Sequence, residues 1–344
     1  MSAPPLALSV LDLSPIPAGS TAGDALRNTI DLAKHAEALG LRRYWLAEHH
    51  NAGSLACPAP EIMIGQVAAA TRTIRVGSGG IMLPNHTPLK VAETFRVLSA
   101  LFPGRIDLGL GRAPGTDPRT AAALRRSREA VGVDDFPARL EELFQFLDDD
   151  APPRTAAFTG SVRAIPTNVP PLEPWLLGSG DSDGGGLALA AMRGLGFAFA
   201  HHINPDDAVR ALRRYREIFI PSPRRRTPWA ILTIGVVCAE TDAAAEELAS
   251  SGELGMVRFF QGIRDRPLPS VEEARAHVYD EYEESVRVAG RARVIVGGVA
   301  HVVARVRELA KASQADEVMV LTHVHSHEAR KRSYSLVAEG LNAA

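Results

Sequence analysis

Histidine and glycine carry most of the chemistry that this sequence could perform. Of its 11 histidines, several stand in short polar runs: Glu48-His49-His50-Asn51, Asn85-His86, His201-His202-Ile203-Asn204 and His323-Val324-His325-Ser326-His327. An imidazole titrates near neutrality, so such runs suit proton transfer or metal ligation. The metal reading is the weaker one. A zinc helix needs histidines four apart on one face, and His49 and His50 are adjacent. His323, His325 and His327 would share one face of a strand, but no cluster of carboxylates or cysteines accompanies them. Rim histidines without a metal are therefore expected.

Glycine marks the second kind of site. Gly178–Gly186 holds five glycines, two serines and two aspartates between an apolar run and a helical one. Backbone N–H groups at such a helix start can cradle a phosphate without a lysine. A flexible turn has the same composition, and both readings stand at this point. No Gly-Lys-Ser/Thr follows, so a Walker loop is excluded. Gly109-Leu110-Gly111 is half of a dinucleotide fingerprint, but Pro114 stands where the third glycine is needed.

The elements that must position these residues repeat as a short β-type run, a loop and a longer segment of helical period. Strands are expected at Leu6–Leu13, Tyr44–Ala47, Ile74–Leu83, Arg105–Leu110, Trp175–Leu177, Phe197–Ala200, Ile231–Cys238 and Glu317–Thr322. Helices fall between them, the first capped by Ser20 or Thr21 and ended by Gly40. After Gly111 the rhythm breaks, with two successive helices at Asp117–Ala130 and Asp135–Asp149 and an extended stretch at Arg154–Pro171. Eight strand–helix cycles without a shift in composition predict one α/β domain, a (β/α)8 TIM barrel with insertions near 150–172 and 260–296. In such a barrel the active site lies at the C-terminal ends of the strands, where every polar run named above falls.

Composition narrows the function. With 46% hydrophobic and 23% charged residues the chain is an ordinary globular protein. Its net charge of −2 gives no field to attract nucleic acid or an anionic membrane. The run Arg224–Arg226 between prolines reads as a solvated loop. Cys57 and Cys238 cannot staple a chain of this size, which fits a reducing, cytoplasmic setting. The apolar N-terminus lacks a basic n-region and reads as a strand, and no apolar run approaches the ~20 residues of a membrane helix.

Three stretches together resemble the bacterial luciferase-like flavin monooxygenases: Tyr44–Asn51 (YWLAEHHN), Val76–His86 (VGSGGIMLPNH) and Phe102–Gly115 (FPGRIDLGLGRAPG). Pro174–Ser179 and Arg332–Ala338 extend the likeness to nearly the whole chain. The resemblance implies a barrel holding FMN, or in some branches the deazaflavin F420, at its C-terminal face. It implies reduced FMN delivered by a separate flavin reductase, O2 activated as a C4a-hydroperoxyflavin, and a small organic substrate. It implies a homodimer, paired through Pro60–Thr71 and Pro88–Phe102. By position it assigns His49 as the catalytic histidine, and Gly79-Gly80 as a non-prolyl cis peptide against the flavin ring. Arg112, Ser179 and Gly180 become ligands of the flavin phosphate. The sequence departs from the light-emitting members at Ser179, where they carry an acidic residue, and at His201-His202, where theirs is more apolar. Both changes argue against luminescence. The alternatives on the same fold are an F420-dependent dehydrogenase and a non-catalytic flavin-binding protein.

Overall fold

The computed structural model describes residues 6–125, 135–148, 162–180 and 185–343. Its strands are β1 (Ala7–Asp12), β2 (Arg43–Leu46), β3 (Arg75–Ser78), β4 (Ile81–Met82) and β5 (Ile106–Gly111), then β6 (Glu173–Gly178), β7 (Gly196–Ala200), β8 (Ala230–Ala239), β9 (Val294–Gly298) and β10 (Glu317–Leu321). All the pairings between them are parallel. They run β1, β2, β3, β5, β6, β7, β8, and β10 then bonds to both β8 and β1. The sheet is thus a closed barrel of eight staves, β3 and β4 being the two halves of one stave broken at Gly79-Gly80. The peptide between those glycines is cis, which agrees with what the family resemblance implies.

The helices are α1 (Ala22–Ala38), α2 (Pro60–Ala70), α3 (Pro88–Leu101), α4 (Pro118–Arg125), α5 (Phe136–Leu147), α6 (Gly186–Met192), α7 (Ala208–Glu217), α8 (Asp242–Phe260), α9 (Val271–Ala276), α10 (Glu281–Gly290), α11 (Val299–Ser313) and α12 (His327–Asn342). Local chemistry sets their ends. At α1 the Thr21 hydroxyl accepts from the Asp24 N–H while the Asp24 carboxylate accepts from the Thr21 N–H, a capping box. Gly40, at φ +74°, turns the chain out of that helix. No described helix is long and apolar enough to cross a membrane.

Two cores result. One lies between the staves and the helices, and includes Leu32, Ile64, Val67, Phe95, Leu140 and Val302. The other fills the barrel with Leu11, Trp45, Ala47, Trp175, Ala198, Ile231, Met319 and Leu321. These inner residues follow the two-residue alternation of strands, in which every second side chain faces one side. The two indoles meet edge to face at 5.5 Å. Gly196 makes room for one of them, since a Cβ there would lie 2.3 Å from the Trp175 ring.

Below the indoles is a layer of buried charge. Arg43 is 1% exposed, and its guanidinium donates to Asp107 at 2.8 Å and to Glu317 at 2.7 Å. Trp45 Nε1 donates to the same Asp107 carboxylate at 2.9 Å, and Arg75 adds a further pair at 2.5 Å. Burial alone would raise the Asp107 pKa, but the charges of Arg43 and Arg75 outweigh it and hold the group ionised.

The sequence reading differs from the structure in several places. The expected helix Asp117–Ala130 is described only as α4, because residues 126–134 lie outside the described residues. So do residues 149–161, which include much of the expected stretch Arg154–Pro171. The segment 260–296 is expected as an insertion of helical character. It contains α9 and α10, but also the start of β9, a strand outside the barrel. The lower half of β8, Ile231–Gly235, pairs with β10, and its upper half, Gly235–Ala239, pairs with β9.

Removing one partner of a buried ion pair leaves the other charge uncompensated, at a cost of about 3–5 kcal/mol. Asp107→Ala is expected to lower the unfolding free energy in urea by that amount. A loss below about 1 kcal/mol would show that the barrel floor is hydrated and the layer dispensable.

Candidate active site

The inward alternation continues past the strand ends and selects the residues at the barrel mouth. On β2 it runs Trp45, Ala47, His49, and on β6 it runs Trp175, Leu177, Ser179. From β7 it runs Ala198, Ala200, His202, and from β10 Met319, Leu321, His323. The β3 and β5 staves place Gly79 and Gly111 at this level. The mouth is therefore a ring of imidazoles, glycines and one serine above an apolar floor.

His49, His202 and His323 are all half-buried, and His49 lies close enough to each of the other two to oppose its charge. Burial lowers the pKa of His49. Burial first, and then neighbouring charge, pulls His202 and His323 down to about 4. All three imidazoles are neutral at pH 7. The Nδ1 of His49 is buried without a hydrogen-bond partner. His202 Nδ1 lies 3.2 Å from the Thr233 carbonyl oxygen. Near His323, the Arg330 guanidinium is bound to the Asp12 carboxylate at 2.5 Å and to the Thr322 carbonyl at 3.1 Å.

Glu48, behind His49, is fully buried and organises one side of the mouth. It accepts from His50 at 2.7 Å, from His86 at 3.0 Å and from the Met82 N–H at 2.9 Å. Burial would raise its pKa, but the bonds from His50 and His86 bring it down to about 2. In return Glu48 raises the pKa of His86 despite that residue's own burial. Thr116 Oγ1 donates to the His50 carbonyl at 2.9 Å, and Asn51 bonds Thr120 at 3.1 Å, which joins the β2 loop to the β5 loop.

Arg112 and Ser179 leave neighbouring strands, because β5 and β6 pair in the register Leu110↔Leu176. Arg112 is exposed. The Ser179 carbonyl accepts from Asn204 at 2.8 Å, and a Cβ on Gly180 would meet nothing within 4 Å. The rest of the glycine loop, 181–184, lies outside the described residues. All six residues singled out in the sequence thus stand at one end of the barrel, just past β2, β5 and β6 and in the break between β3 and β4.

Sequence reasoning passed over the roles of Glu48, His86, His202 and His323. The alternation along β7 and β10 carried the signal for the last two. The shared face expected for His323, His325 and His327 does not form. β10 ends at Leu321, His325 Nε2 bonds the Ala18 carbonyl at 3.0 Å, and His327 bonds Asp31 at 2.9 Å. His327, Asp31 and Glu328 do come within ligating distance of one another at the surface. Lys331 supplies that group with a positive charge, its Nζ 3.0 Å from Asp31.

A parallel eight-stave barrel with its polar side chains gathered at the C-terminal mouth defines an α/β-barrel enzyme architecture. Residues 6–317 match the model of the luciferase-like monooxygenase family, and the chain belongs to that family. It is 40% identical over 334 residues to a luciferase-like monooxygenase of Escherichia coli (strain K12), covering 97% of this chain and 96% of the relative. It is 35% identical over 340 residues to the N-acetyl-S-alkylcysteine monooxygenase of Bacillus subtilis (strain 168), covering 98% of each. The structure of apo-MsnO8 superposes with a TM-score of 0.88 at 38% identity, over 98% of both chains. The oxygenating constituent of 3,6-diketocamphane monooxygenase from Pseudomonas putida, in complex with FMN, shares the fold with a TM-score of 0.68 at 18% identity, over 98% of this chain and 97% of that one.

The neutral mouth has a pH signature. An unfolded histidine takes up its proton near pH 6.5, whereas folded His202 and His323 do so only near 4. Between those values the unfolded chain binds more protons, so their contribution is intact above pH 6.5 and lost as pH falls to 4. His86 has the opposite sign: its contribution is present below pH 6.5 and lost as pH rises through its raised pKa. The loss from the first pair is of order 3 kcal/mol per histidine. The unfolding free energy should fall between pH 6.5 and 4, and the double variant His202→Gln, His323→Gln should flatten that slope. An equal slope in the variant would show that these imidazoles charge freely in the folded protein.

Proposed function

We propose that this chain is a flavin-dependent monooxygenase that uses reduced FMN and O2 to oxidise a small organic substrate, within one catalytic barrel domain spanning the chain. The observation that carries this reading is the His49 imidazole. It is neutral, buried at Nδ1 without a partner, and set on the inward face of the barrel mouth. A buried polar atom left unpaired costs stability, and its partner is expected to come from a bound molecule.

The donor set at the mouth fits FMN. Arg112 offers a fork of N–H donors suited to a phosphate, and Ser179 with Gly180 offers a hydroxyl and open backbone beside it. Gly79 and Gly80 are buried, and a Cβ on either would meet Leu11 or the Gly109 carbonyl at 2.8 Å, so the break in this stave carries no side chain that would hold a planar ring away from its backbone. Reduced FMN, when bound, supplies the electrons that activate O2. The protein does the rest. Arg112, Ser179 and Gly180 hold the phosphate, and the apolar floor of Leu11, Ala47 and Leu321 limits water. His49, neutral and therefore able to accept or donate, moves a proton at the reacting centre. Glu48 fixes the backbone around His49 by clamping His50, Met82 and His86.

The deciding experiment supplies chemically reduced FMN and O2, with aldehydes, ketones and thioethers as candidate substrates. Product is expected only with reduced flavin, and NADH alone should not bleach the flavin-loaded protein, because a separate reductase delivers it. His49→Ala should bind FMN normally but lower coupled product formation by about 10²-fold or more, releasing hydrogen peroxide instead. Arg112→Ala should weaken FMN more than riboflavin. Hydride transfer with F420 and no use of O2 would replace this reading with the dehydrogenase one. Flavin binding without any turnover would make the protein a flavin carrier.

We also read the active form as a homodimer paired through α2 and α3. Ile62 on α2 and Val97 and Leu101 on α3 are exposed, and Ile62 and Leu101 each keep 64% of their surface open. Light scattering should give the mass of two chains at micromolar concentration, and a monomeric mass would overturn this.

A further inference from the structure

The circular order of the staves divides the barrel mouth into two arcs. Gly79, Arg112, Ser179 and Gly180 occupy consecutive staves, β3–β4, β5 and β6. His202 and His323 leave β7 and β10, with β8 between them, and β10 is separated from His49 on β2 only by β1. If the first arc holds the flavin, as the reading above has it, the second faces it across the mouth, with His49 at the join.

The tautomer of His202 follows from its partner. The Thr233 carbonyl oxygen only accepts, so the His202 Nδ1, 3.2 Å away, carries the proton. Its Nε2 is then a bare acceptor. The surroundings keep it so: the titratable and charged groups that act on His202 are His201, His49 and Arg293, and each disfavours a second proton. His323 is neutral chiefly because it is buried, and Arg330 and His49 oppose its charge further while Asp12 supports it. The floor beneath this arc is apolar, from Ala198, Ile231, Met319 and Leu321. Such a wall offers an acceptor and no net charge. Its two neutral imidazoles bring no charge of their own to pair with a carboxylate or a phosphate.

We propose that His202 is a specificity-determining residue on the substrate side of the mouth, accepting a hydrogen bond at Nε2 from an uncharged, largely apolar substrate that carries an O–H or N–H donor. His323 forms the second neutral wall of the same pocket. This rests on the flavin reading of the opposite arc, because that reading leaves this arc to the substrate.

The test uses protein loaded with oxidised FMN at pH 7 and three probes of similar size: phenol, its methyl ether anisole, and benzoate. Calorimetric titration should give phenol an affinity about three- to tenfold higher than that of anisole, the worth of one net hydrogen bond. Benzoate should bind more weakly than phenol. His202→Leu should abolish the preference for phenol over anisole, and His202→Gln, whose amide can place an acceptor near the Nε2 position, should restore part of it. A purely structural role would not give that rescue. In long-range 1H–15N spectra of histidine-labelled protein, the His202 Nε2 signal should shift with phenol and not with anisole. Equal affinity for phenol and anisole, persistence of the preference in His202→Leu, or no phenol binding at millimolar concentration would each overturn the proposal. FMN titration is read separately. Failure to bind FMN sinks the flavin reading, whereas normal FMN binding with no preference for phenol sinks this inference alone.

Discussion

The barrel is organised around a cation that water cannot reach. Arg43 sits inside the sheet with its guanidinium between Asp107 and Glu317 and over the Trp175 ring, 4.6 Å from the centroid. Taking a guanidinium out of water costs several kcal/mol, and the cost is met only if nearly every donor finds an acceptor. Those acceptors come from β5 and β10, with Glu173 on β6 a further counter-charge, while Ser9 on β1 donates to Glu317 and Arg75 on β3 donates to Asp107. One side chain therefore ties most of the staves together. A slip of one residue in β2 would turn Arg43 into the apolar outer core and Tyr44 into the barrel, so the charge also fixes register. On the outer face the alternation gives a second buried set, in which the Tyr44 hydroxyl donates to Asp12, itself paired with Arg330.

From that fixed register the active site follows by counting. Two residues above Arg43 is Trp45, then Ala47, then His49, and the same step places Ser179, His202 and His323. The ionic layer and the mouth are thus two levels of one alternation. The indoles of Trp45 and Trp175 separate them, filling the space that Gly196 leaves open. Positioning is a consequence of packing far from the chemistry.

That counting also explains what could be read beforehand. The parallel staves were legible because strands buried on both faces read as apolar runs, β8 (AILTIGVVCA) being the clearest. β9 was not, because it is short and follows a helical insertion. Its apolar pattern is set by the upper half of β8 rather than by the barrel. Gly235, where β8 passes from one partner to the other, is visible in the sequence, but the fork is not. His49 was reached through family likeness, whereas His202 and His323 needed only the period of two, continued past the strand end. The period of two stops serving at His325 and His327, because the chain has left the sheet after Leu321 and α12 begins at His327. Glu48 shows a different limit. Its partners His50, Met82 and His86 come from two loops, and nothing local brings His86 to it.

The two ends of the barrel settle their polar groups differently. At the floor each buried charge is paired, and the residues there are held in one state. At the mouth the polar groups are left short: His49 Nδ1 has no partner, and His202 and His323 are held away from their protonated forms. Unpaired polar atoms and suppressed charges are costs to folding, and proteins retain them where a ligand completes the set. The paired floor is what allows this fold to tolerate an incomplete mouth. It also bears on pH. Among the described groups, Asp107 of the floor and Asp12 of the Asp12–Arg330 pair are held below the usual carboxylate range, while His49, His202 and His323 at the mouth are held below the usual imidazole range. Acid therefore charges His202 and His323 at the mouth before it discharges Asp107 in the layer beneath.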